Sequence, residues 1–283
     1  MINRITVLGA GTMGHGIAHA AIAGAYDTRM YDVSDGAVAK GRASIELIVK
    51  TGVDLGKMPA SDADAALRRL TTSTDLAESL HDADLVIEAA PEKIDLKLAL
   101  FAEIERHAPA GAVIASNTSA LSITEMAGSL KRPPRVAGMH FFNPVHKMKL
   151  IEIVQALESA PATLEAIETV AKRMGKETVL VRESPGFITT RVNASIGNEA
   201  FYMLMEGVAS ARDIDKALKL GLNHPMGPFE LVDLVGLDTR LSILEYLHRS
   251  LGEKYRPCPL LAQYVKAGRL GKKVGKGVYE YAV

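Results

Sequence analysis

A histidine and a glutamate in neighbouring apolar runs are the residues of this chain best suited to proton transfer. His140 lies near the end of the run Val136–Phe142, and open α/β sheets carry their functional groups at strand ends. Imidazole titrates near neutral pH, as a general base requires. Glu152 lies inside the next apolar run, Leu150–Val154, where an unpaired carboxylate is costly to bury. A pair with Glu152 would fix the tautomer of His140 and stabilise its protonated form.

Each residue of this pair also has a plainer interpretation. A single histidine is more often structural than catalytic. A glutamate on an edge strand can face solvent, because one face of such a strand is commonly solvated. The two interpretations differ in whether the side chains of His140 and Glu152 meet.

Four small polar residues, Ser116 to Ser119, follow a third apolar run. Hydroxyl groups at the end of a strand can point into a cleft at the same edge of the sheet. The alternative is the N-cap of the following helix. Ser122 can supply that cap, which would leave Ser119 to contact a substrate.

A glycine-rich turn separates a strand-like run from an alanine-rich helical run near the N-terminus. It has the form G-x-G-x-x-G, and its residues are Gly9, Ala10, Gly11, Thr12, Met13 and Gly14. The three glycines permit a tight turn, close approach of a pyrophosphate, and close packing of helix on strand. Asp32 follows the next strand-like run, close to the spacing of about 20 residues in a dinucleotide-binding fingerprint. The alternative is an ordinary glycine turn in a βαβ unit.

Asp32 also bears on the choice of dinucleotide. A carboxylate there accepts hydrogen bonds from the adenosine ribose and repels a 2′-phosphate by roughly 1–4 kcal/mol. The sequence therefore predicts NAD as the cofactor. Arg29 before the acid and Lys40 after it keep NADP possible.

Strand-like and helix-like runs alternate up to residue 184, which indicates a Rossmann-type, doubly wound and mostly parallel sheet. Two strand-like runs in succession, around His140 and Glu152, predict a departure from this alternation. After Ser184 only helical periodicity remains, including one predicted helix over Phe229–Leu247. We expect an α/β domain at 1–184 and an all-helical domain at 185–283. The second domain is expected to complete a substrate cleft and to form a homodimer.

Composition excludes several classes of protein. The 33 basic and 33 acidic residues give a formal net charge of zero, which argues against a nucleic-acid partner. The single cysteine, Cys258, allows no internal disulfide, and the histidines lack metal-site spacing such as H-E-x-x-H, so no metal is expected. Without a membrane-length apolar run or a leader peptide, we expect a cytoplasmic protein with no membrane partner.

The chain resembles the L-3-hydroxyacyl-CoA dehydrogenase family, and most of all its bacterial 3-hydroxybutyryl-CoA members. The resemblance covers nearly the whole chain. It is carried by GAGTMGHGIA, VIEAAPE, SNTSALSI, GMHFFNPV, KLIEIV, SPGFI, HPMGPFELVDLVGLDT and GKKVGKGVYEY, in that order.

The resemblance implies reversible NAD-dependent oxidation of an (S)-3-hydroxyacyl-CoA to the 3-ketoacyl-CoA. It implies His140 as the base, Glu152 as the carboxylate that orients it, and Ser119 as a contact of both substrate and cofactor. Further cofactor contacts are implied at Glu92, Lys97, Asn143 and Lys273. Glu92 and Lys97 have the alternative of being first-turn helix charges.

Two features of the substrate site stay open. Lys50 and Lys57 belong to a basic cluster in the region of the family's CoA contacts, but a solvated helix face is the alternative. The family pattern PGFxxNR is also broken, because Thr190 stands where the family has a substrate-binding asparagine. Asn193, about one helical turn later, is the other candidate for that role.

The function expected from the sequence is a dehydrogenase of 3-hydroxybutyryl-CoA. The alternatives are the same reaction on a 3-hydroxyadipyl-CoA-like substrate or on a hydroxy acid without CoA. A protein that binds NAD only as a structural or regulatory module is a third possibility.

Overall fold

The computed structural model describes residues 1–281, and the chain forms two compact units that divide between Glu183 and Ser184. The first unit holds one eight-stranded sheet. Its strands are β1 (Arg4–Leu8), β2 (Asp27–Tyr31), β3 (Leu70–Ser73), β4 (Leu85–Glu88), β5 (Val113–Ser116), β6 (Val136–Phe141), β7 (Leu150–Gln155) and β8 (Glu177–Arg182). Its helices are α1 (Thr12–Ala23), α2 (Asp35–Asp54), α3 (Ala60–Arg68), α4 (Leu76–Leu80), α5 (Ile94–His107), α6 (Ile123–Gly128) and α7 (Pro161–Arg173).

The strand order is β3-β2-β1-β4-β5-β6-β7-β8. Every neighbouring pair is parallel except β6 and β7, which are antiparallel. The order reverses between β1 and β4, and such a switch point places a ligand crevice at the carboxyl ends of the strands. The predicted Rossmann-type, mostly parallel sheet is confirmed, and its departure from alternation occurs where the sequence indicates it.

The central strands are apolar runs because the sheet is covered on both faces. All four residues of β4 and all six of β6 are buried. Strand β3 is not predicted from the sequence, because its residues are Leu-Thr-Thr-Ser and only Leu70 is buried. An edge strand with one buried side chain has too little apolar periodicity to be recognised.

The second unit is helical, with no β-strand among its described residues. It contains α8 (Thr189–Met205), α9 (Ala211–Gly221), α10 (Pro228–Val235), α11 (Leu237–Leu251) and α12 (Pro259–Lys266). Its core includes Phe201 and Phe229, whose rings meet edge to face with centroids 5.2 Å apart. Across residues 1–281, no helix is both long and apolar enough to cross a membrane.

The prediction of one helix over Phe229–Leu247 is wrong. The helix is interrupted at Gly236, where φ is 107°. Residues other than glycine rarely adopt a positive φ of this kind. A Cβ atom at this position would also lie 2.8 Å from Oδ1 of Asp238. The apolar period continues through the break, which is why the sequence reads as a single helix.

Candidate active site

The antiparallel pairing of β6 and β7 places His140 directly opposite Glu152. Directly opposite residues project from the same face of a sheet, and their side chains can touch. The Nδ1 atom of His140 lies 2.7 Å from Oε2 of Glu152. Both residues are buried, Glu152 completely. The solvent-facing interpretation of Glu152 is wrong, because its side chain is 0% exposed and β7 is not an edge strand.

Ser119 meets the other nitrogen of the imidazole ring. Its Oγ atom lies 3.1 Å from Nε2 of His140. Ser122 caps α6 by accepting a hydrogen bond from the backbone N–H of Glu125 at 3.0 Å. Ser119 is therefore not needed as the helix cap. Glu152, His140 and Ser119 form a continuous polar line that a substrate hydroxyl could extend.

Glu92 holds the loop that carries Ser119. Its Oε1 atom accepts a hydrogen bond from the backbone N–H of Ser119 at 2.9 Å and another from the hydroxyl of Thr118. The carboxylate remains partly exposed, at 43% of its side-chain surface. It can therefore orient Ser119 while a ligand approaches from the solvent side.

Lys97 is buried rather than a solvated charge in the first turn of a helix. Its side chain is 1% exposed, and Nζ lies 2.6 Å from Oε1 of Glu88. The same ammonium lies 3.4 Å from Oε2 of Glu92 and donates to the carbonyl oxygen of Ala90 at 3.2 Å. Three acceptors therefore surround the three N–H groups of Lys97.

Glu88 also belongs to this group, although the sequence pattern does not identify it, and its partner is Ser116, the first of the four polar residues at the end of β5. Glu88 ends β4 and is inaccessible to solvent. Its Oε2 atom accepts from the hydroxyl of Ser116 at 2.5 Å, and its Oε1 atom from the N–H of Ala90 at 2.6 Å. The available signal resembles the one that identifies Glu152, namely a carboxylate within an apolar run, which needs a partner when it is buried.

The glycine-rich turn has the shape that a dinucleotide requires. A Cβ atom on Gly14 would lie 1.7 Å from the carbonyl oxygen of Gly9, so only glycine permits this approach of α1 to β1. A Cβ on Gly11 would meet nothing within 4 Å, which leaves that side of the turn open. The first N–H groups of α1 have no side-chain cap from Gly11. Such a helix N-terminus binds phosphate through its N–H groups and its dipole.

Asp32 lies directly after β2 and beside this turn. Its Oδ2 atom accepts a hydrogen bond from the backbone N–H of Ala10 at 2.8 Å. Arg29 is engaged elsewhere, because its guanidinium donates to the carbonyl oxygen of Glu78 at 2.8 Å and to Asp82 at 3.0 Å. The carboxylate of Asp32 thus lies at the edge of the glycine-rich turn, and Arg29 is paired with other groups.

The remaining predicted contacts lie outside this group. Asn143 is exposed two residues after β6, Lys50 is exposed on α2, and Lys57 is exposed between α2 and α3. In the second unit, Thr190 and Asn193 are half-buried on α8 and lie three positions apart, which places them on one helix face.

Lys273 also belongs to the second unit. Its Nζ atom lies 2.6 Å from both carboxylate oxygens of Asp238. The contacts predicted for Thr190, Asn193 and Lys273 with a substrate or cofactor stay predictions.

Two family models together match almost the whole chain. The model described as "3-hydroxyacyl-CoA dehydrogenase, NAD binding domain" matches residues 4–184. The model described as "3-hydroxyacyl-CoA dehydrogenase, C-terminal domain" matches residues 186–281.

Similar proteins agree with the family models. A "Probable 3-hydroxybutyryl-CoA dehydrogenase" of Bacillus subtilis is 46% identical over 281 residues, which cover 99% of this chain and 98% of that protein. The crystal structure of an (S)-3-hydroxybutyryl-CoA dehydrogenase from Ralstonia eutropha has a TM-score of 0.96 at 42% identity and covers 100% of both chains. A "3-hydroxyadipyl-CoA dehydrogenase" of Escherichia coli is 39% identical over 99% of this chain and 59% of that protein. The chain therefore belongs to the 3-hydroxyacyl-CoA dehydrogenase family and is an NAD-dependent oxidoreductase.

Proposed function

We propose that this protein catalyses the reversible oxidation of (S)-3-hydroxybutyryl-CoA to the 3-ketoacyl-CoA. The observation that carries the proposal is the line from Glu152 through His140 to Ser119, with contacts of 2.7 Å and 3.1 Å. The glycine-rich turn follows β1 at the same carboxyl edge of the parallel strands at which β6, which carries His140, ends. The names of the Bacillus and Ralstonia relatives support the short acyl chain.

The proposed chemistry assigns one task to each residue of the line. His140 Nε2 takes the proton of the substrate's 3-hydroxyl, and the carboxylate of Glu152 stabilises the imidazolium that forms. Ser119 holds the substrate oxygen in place. When bound, NAD accepts the hydride that leaves C3 of the substrate. In the reverse direction His140 returns the proton.

The cofactor is proposed to lie along the carboxyl ends of β1 and β4. Phosphates would bind the glycine-rich turn, and Asp32 would accept hydrogen bonds from the adenosine ribose. Glu92, Ser119, Asn143 and Lys273 are the proposed contacts further along the cofactor. Lys97 has no exposed ammonium, so its contribution must pass through a neighbour.

Four further residues are proposed to bind the substrate. Lys50 and Lys57 are proposed to attract the phosphates of CoA, since both are exposed cations. Thr190 or Asn193 is proposed to contact the substrate oxygen from the helical unit. We also propose a homodimer formed through the helices of the second unit and a cytoplasmic location.

A related substrate is the second candidate. The similarity to the Escherichia coli protein named a 3-hydroxyadipyl-CoA dehydrogenase supports a dicarboxylic acyl-CoA as the substrate. A hydroxy acid without CoA is the third candidate. All three use the same line of His140, Glu152 and Ser119.

The test follows NADH consumption at 340 nm with acetoacetyl-CoA, 3-oxoadipyl-CoA and free acetoacetate. The proposal expects the highest kcat/KM with acetoacetyl-CoA. A higher value with 3-oxoadipyl-CoA would favour the second candidate, and consumption with free acetoacetate alone would favour the third. Folded, NADH-binding protein that reduces none of the three would contradict the proposed function.

A further inference from the structure

A buried ion pair lies beneath the proposed active site. Glu88 is 0% exposed and the side chain of Lys97 is 1% exposed, with 2.6 Å between their charged groups. Both groups are fully committed: Glu88 accepts from Lys97, Ser116 and Ala90, while Lys97 donates to Glu88 and Ala90 and lies beside Glu92. A ligand has no access to either charged group.

Such a pair is a poor way to gain stability. Removing two ions from water costs several kcal/mol each, roughly, and replacing a buried pair by apolar residues is often neutral or stabilising. The position of the pair therefore needs another reason. Two paths of polar contacts, called branches, connect the pair to the loop that carries Ser119.

The first branch runs through Ser116. Glu88 accepts from the Ser116 hydroxyl at 2.5 Å, and the Ser116 oxygen in turn accepts from the backbone N–H of Thr118 at 3.2 Å. The second branch runs from Lys97 to Glu92, whose Oε1 atom binds Thr118 and the N–H of Ser119. Residues 118 and 119 are thus held from two sides by one buried pair.

We infer that Glu88 and Lys97 are positioning residues, which set the place of the Ser119 hydroxyl against Nε2 of His140 by orienting Glu92 and Ser116. The inference rests on the proposed role of Ser119 in the reaction. It gives Lys97 an indirect role instead of a direct contact with the cofactor. A displacement of about 1 Å in such a group can reduce turnover by about 100-fold.

The test uses a paired variant, Glu88→Gln with Lys97→Met, which leaves no unpaired buried charge. The glutamine oxygen can still accept from Ser116, but its NH₂ group then faces the N–H of Ala90, so circular dichroism first establishes that the variant folds. We expect kcat for acetoacetyl-CoA reduction to fall 10- to 100-fold, while the Kd for NADH, from its fluorescence, changes less than threefold. A Kd weakened more than threefold with kcat at the wild-type value would overturn the inference, because the pair would then support cofactor binding and not the placement of Ser119.

A double-mutant cycle with Ser119→Ala supplies the second readout. If the pair acts by placing Ser119, the paired substitution should lower kcat less than threefold once the hydroxyl is absent. If the paired substitution lowers kcat by the same factor in the wild type and in Ser119→Ala, the inference is overturned and the proposed function is left intact. Full activity of Ser119→Ala by itself would instead remove the role that the proposed function gives Ser119, and the inference with it.

Two further variants keep the test decisive. Glu103→Gln with Arg106→Met removes a similar ion pair from the exposed face of the same helix α5, where the two groups are 2.9 Å apart, and should leave kcat unchanged. If the paired variant does not fold, the same cycle is run with Ser116→Ala, which breaks the first branch without changing any charge.

Discussion

Nδ1 of His140 lies 2.7 Å from Oε2 of Glu152 because the two residues are direct partners in the antiparallel ladder of β6 and β7. Backbone pairing, and not a flexible loop, therefore holds the base against its carboxylate. With Nδ1 bound to Glu152, the Nε2 atom is directed towards Ser119 at 3.1 Å. Proton transfer at Nε2 is the reaction that this arrangement suits.

Replacing Glu152 by glutamine should damage turnover more than binding. The amide keeps the size of the side chain but cannot neutralise the imidazolium, and its NH₂ group can impose the wrong tautomer on His140. We expect kcat to fall about 100-fold or more, within the range of about 10²–10⁴ attributed to general acid–base groups. Steady-state NADH oxidation across pH 6–9 measures this effect. Glu177→Gln, at the exposed start of β8, is the matched control, and equal losses in both variants would argue against the role of Glu152.

The negative charge of Asp32 should determine the choice between NADH and NADPH. Asp32→Asn retains an oxygen that can accept from the N–H of Ala10, now at 2.8 Å, but it removes the repulsion of a 2′-phosphate. That repulsion is worth roughly 1–4 kcal/mol, so the ratio of kcat/KM for NADH over NADPH should fall at least fivefold. Asp32→Ala removes the hydrogen bond as well and should also weaken NADH binding. An unchanged ratio in both variants would show that another group sets the preference.

Much of the fold is readable from the sequence because most strands are continuous apolar runs that separate helical ones. The edge strand β3 cannot be predicted in this way, since only Leu70 is buried. The interruption at Gly236 cannot be predicted either, because the apolar period continues through it. The contact of His140 with Glu152 is predictable because a carboxylate inside an apolar strand needs a partner. The burial of Lys97 cannot be predicted, because Lys97 is the fourth residue of α5. A lysine in the first turn of an amphipathic helix normally faces solvent, and its sequence neighbours do not indicate the buried acceptors around it.

His19 should make the protein sensitive to mild acid. Burial, and then the nearby His146, Lys176 and His15, lower the pKa of His19 from 6.5 to about 4. The unfolded chain therefore binds a proton between pH 6.5 and 4 that the folded chain does not, and stability falls as the pH falls through this window. The loss from this group should be about 2 kcal/mol between pH 7 and pH 5.

Urea unfolding of the wild type and of His19→Gln at pH 7 and pH 5 measures this contribution. The variant lacks the titrating group, so its free energy of unfolding should depend less on pH. Burial, and then Lys147, Lys176, His15 and Lys57, also lower the pKa of His146, which therefore contributes in the same direction and should remain in the variant. Identical pH dependence in the two proteins would contradict the assignment to His19.

Asp233 should be a major source of stability in the helical unit. It is 1% exposed and accepts hydrogen bonds from the N–H groups of Val278 and Tyr279 at 2.8 and 2.9 Å and from the hydroxyl of Tyr281 at 2.8 Å. Asp233→Asn keeps one acceptor oxygen but turns an NH₂ group towards at least one of these donors, and the free energy of unfolding should fall by roughly 1–3 kcal/mol. Chemical denaturation measures the change. Glu280→Gln, on an exposed carboxylate nearby, should leave stability near the wild-type value, and a similar result for Asp233→Asn would refute this account.

The most direct test of the central claim is the single-turnover rate of NADH oxidation by acetoacetyl-CoA in His140→Gln. NADH fluorescence first establishes that the variant binds the cofactor as the wild type does. If His140 donates the proton to the forming hydroxyl, the rate should be lower by about 10²–10⁴. A rate within threefold of the wild type would show that another group transfers the proton.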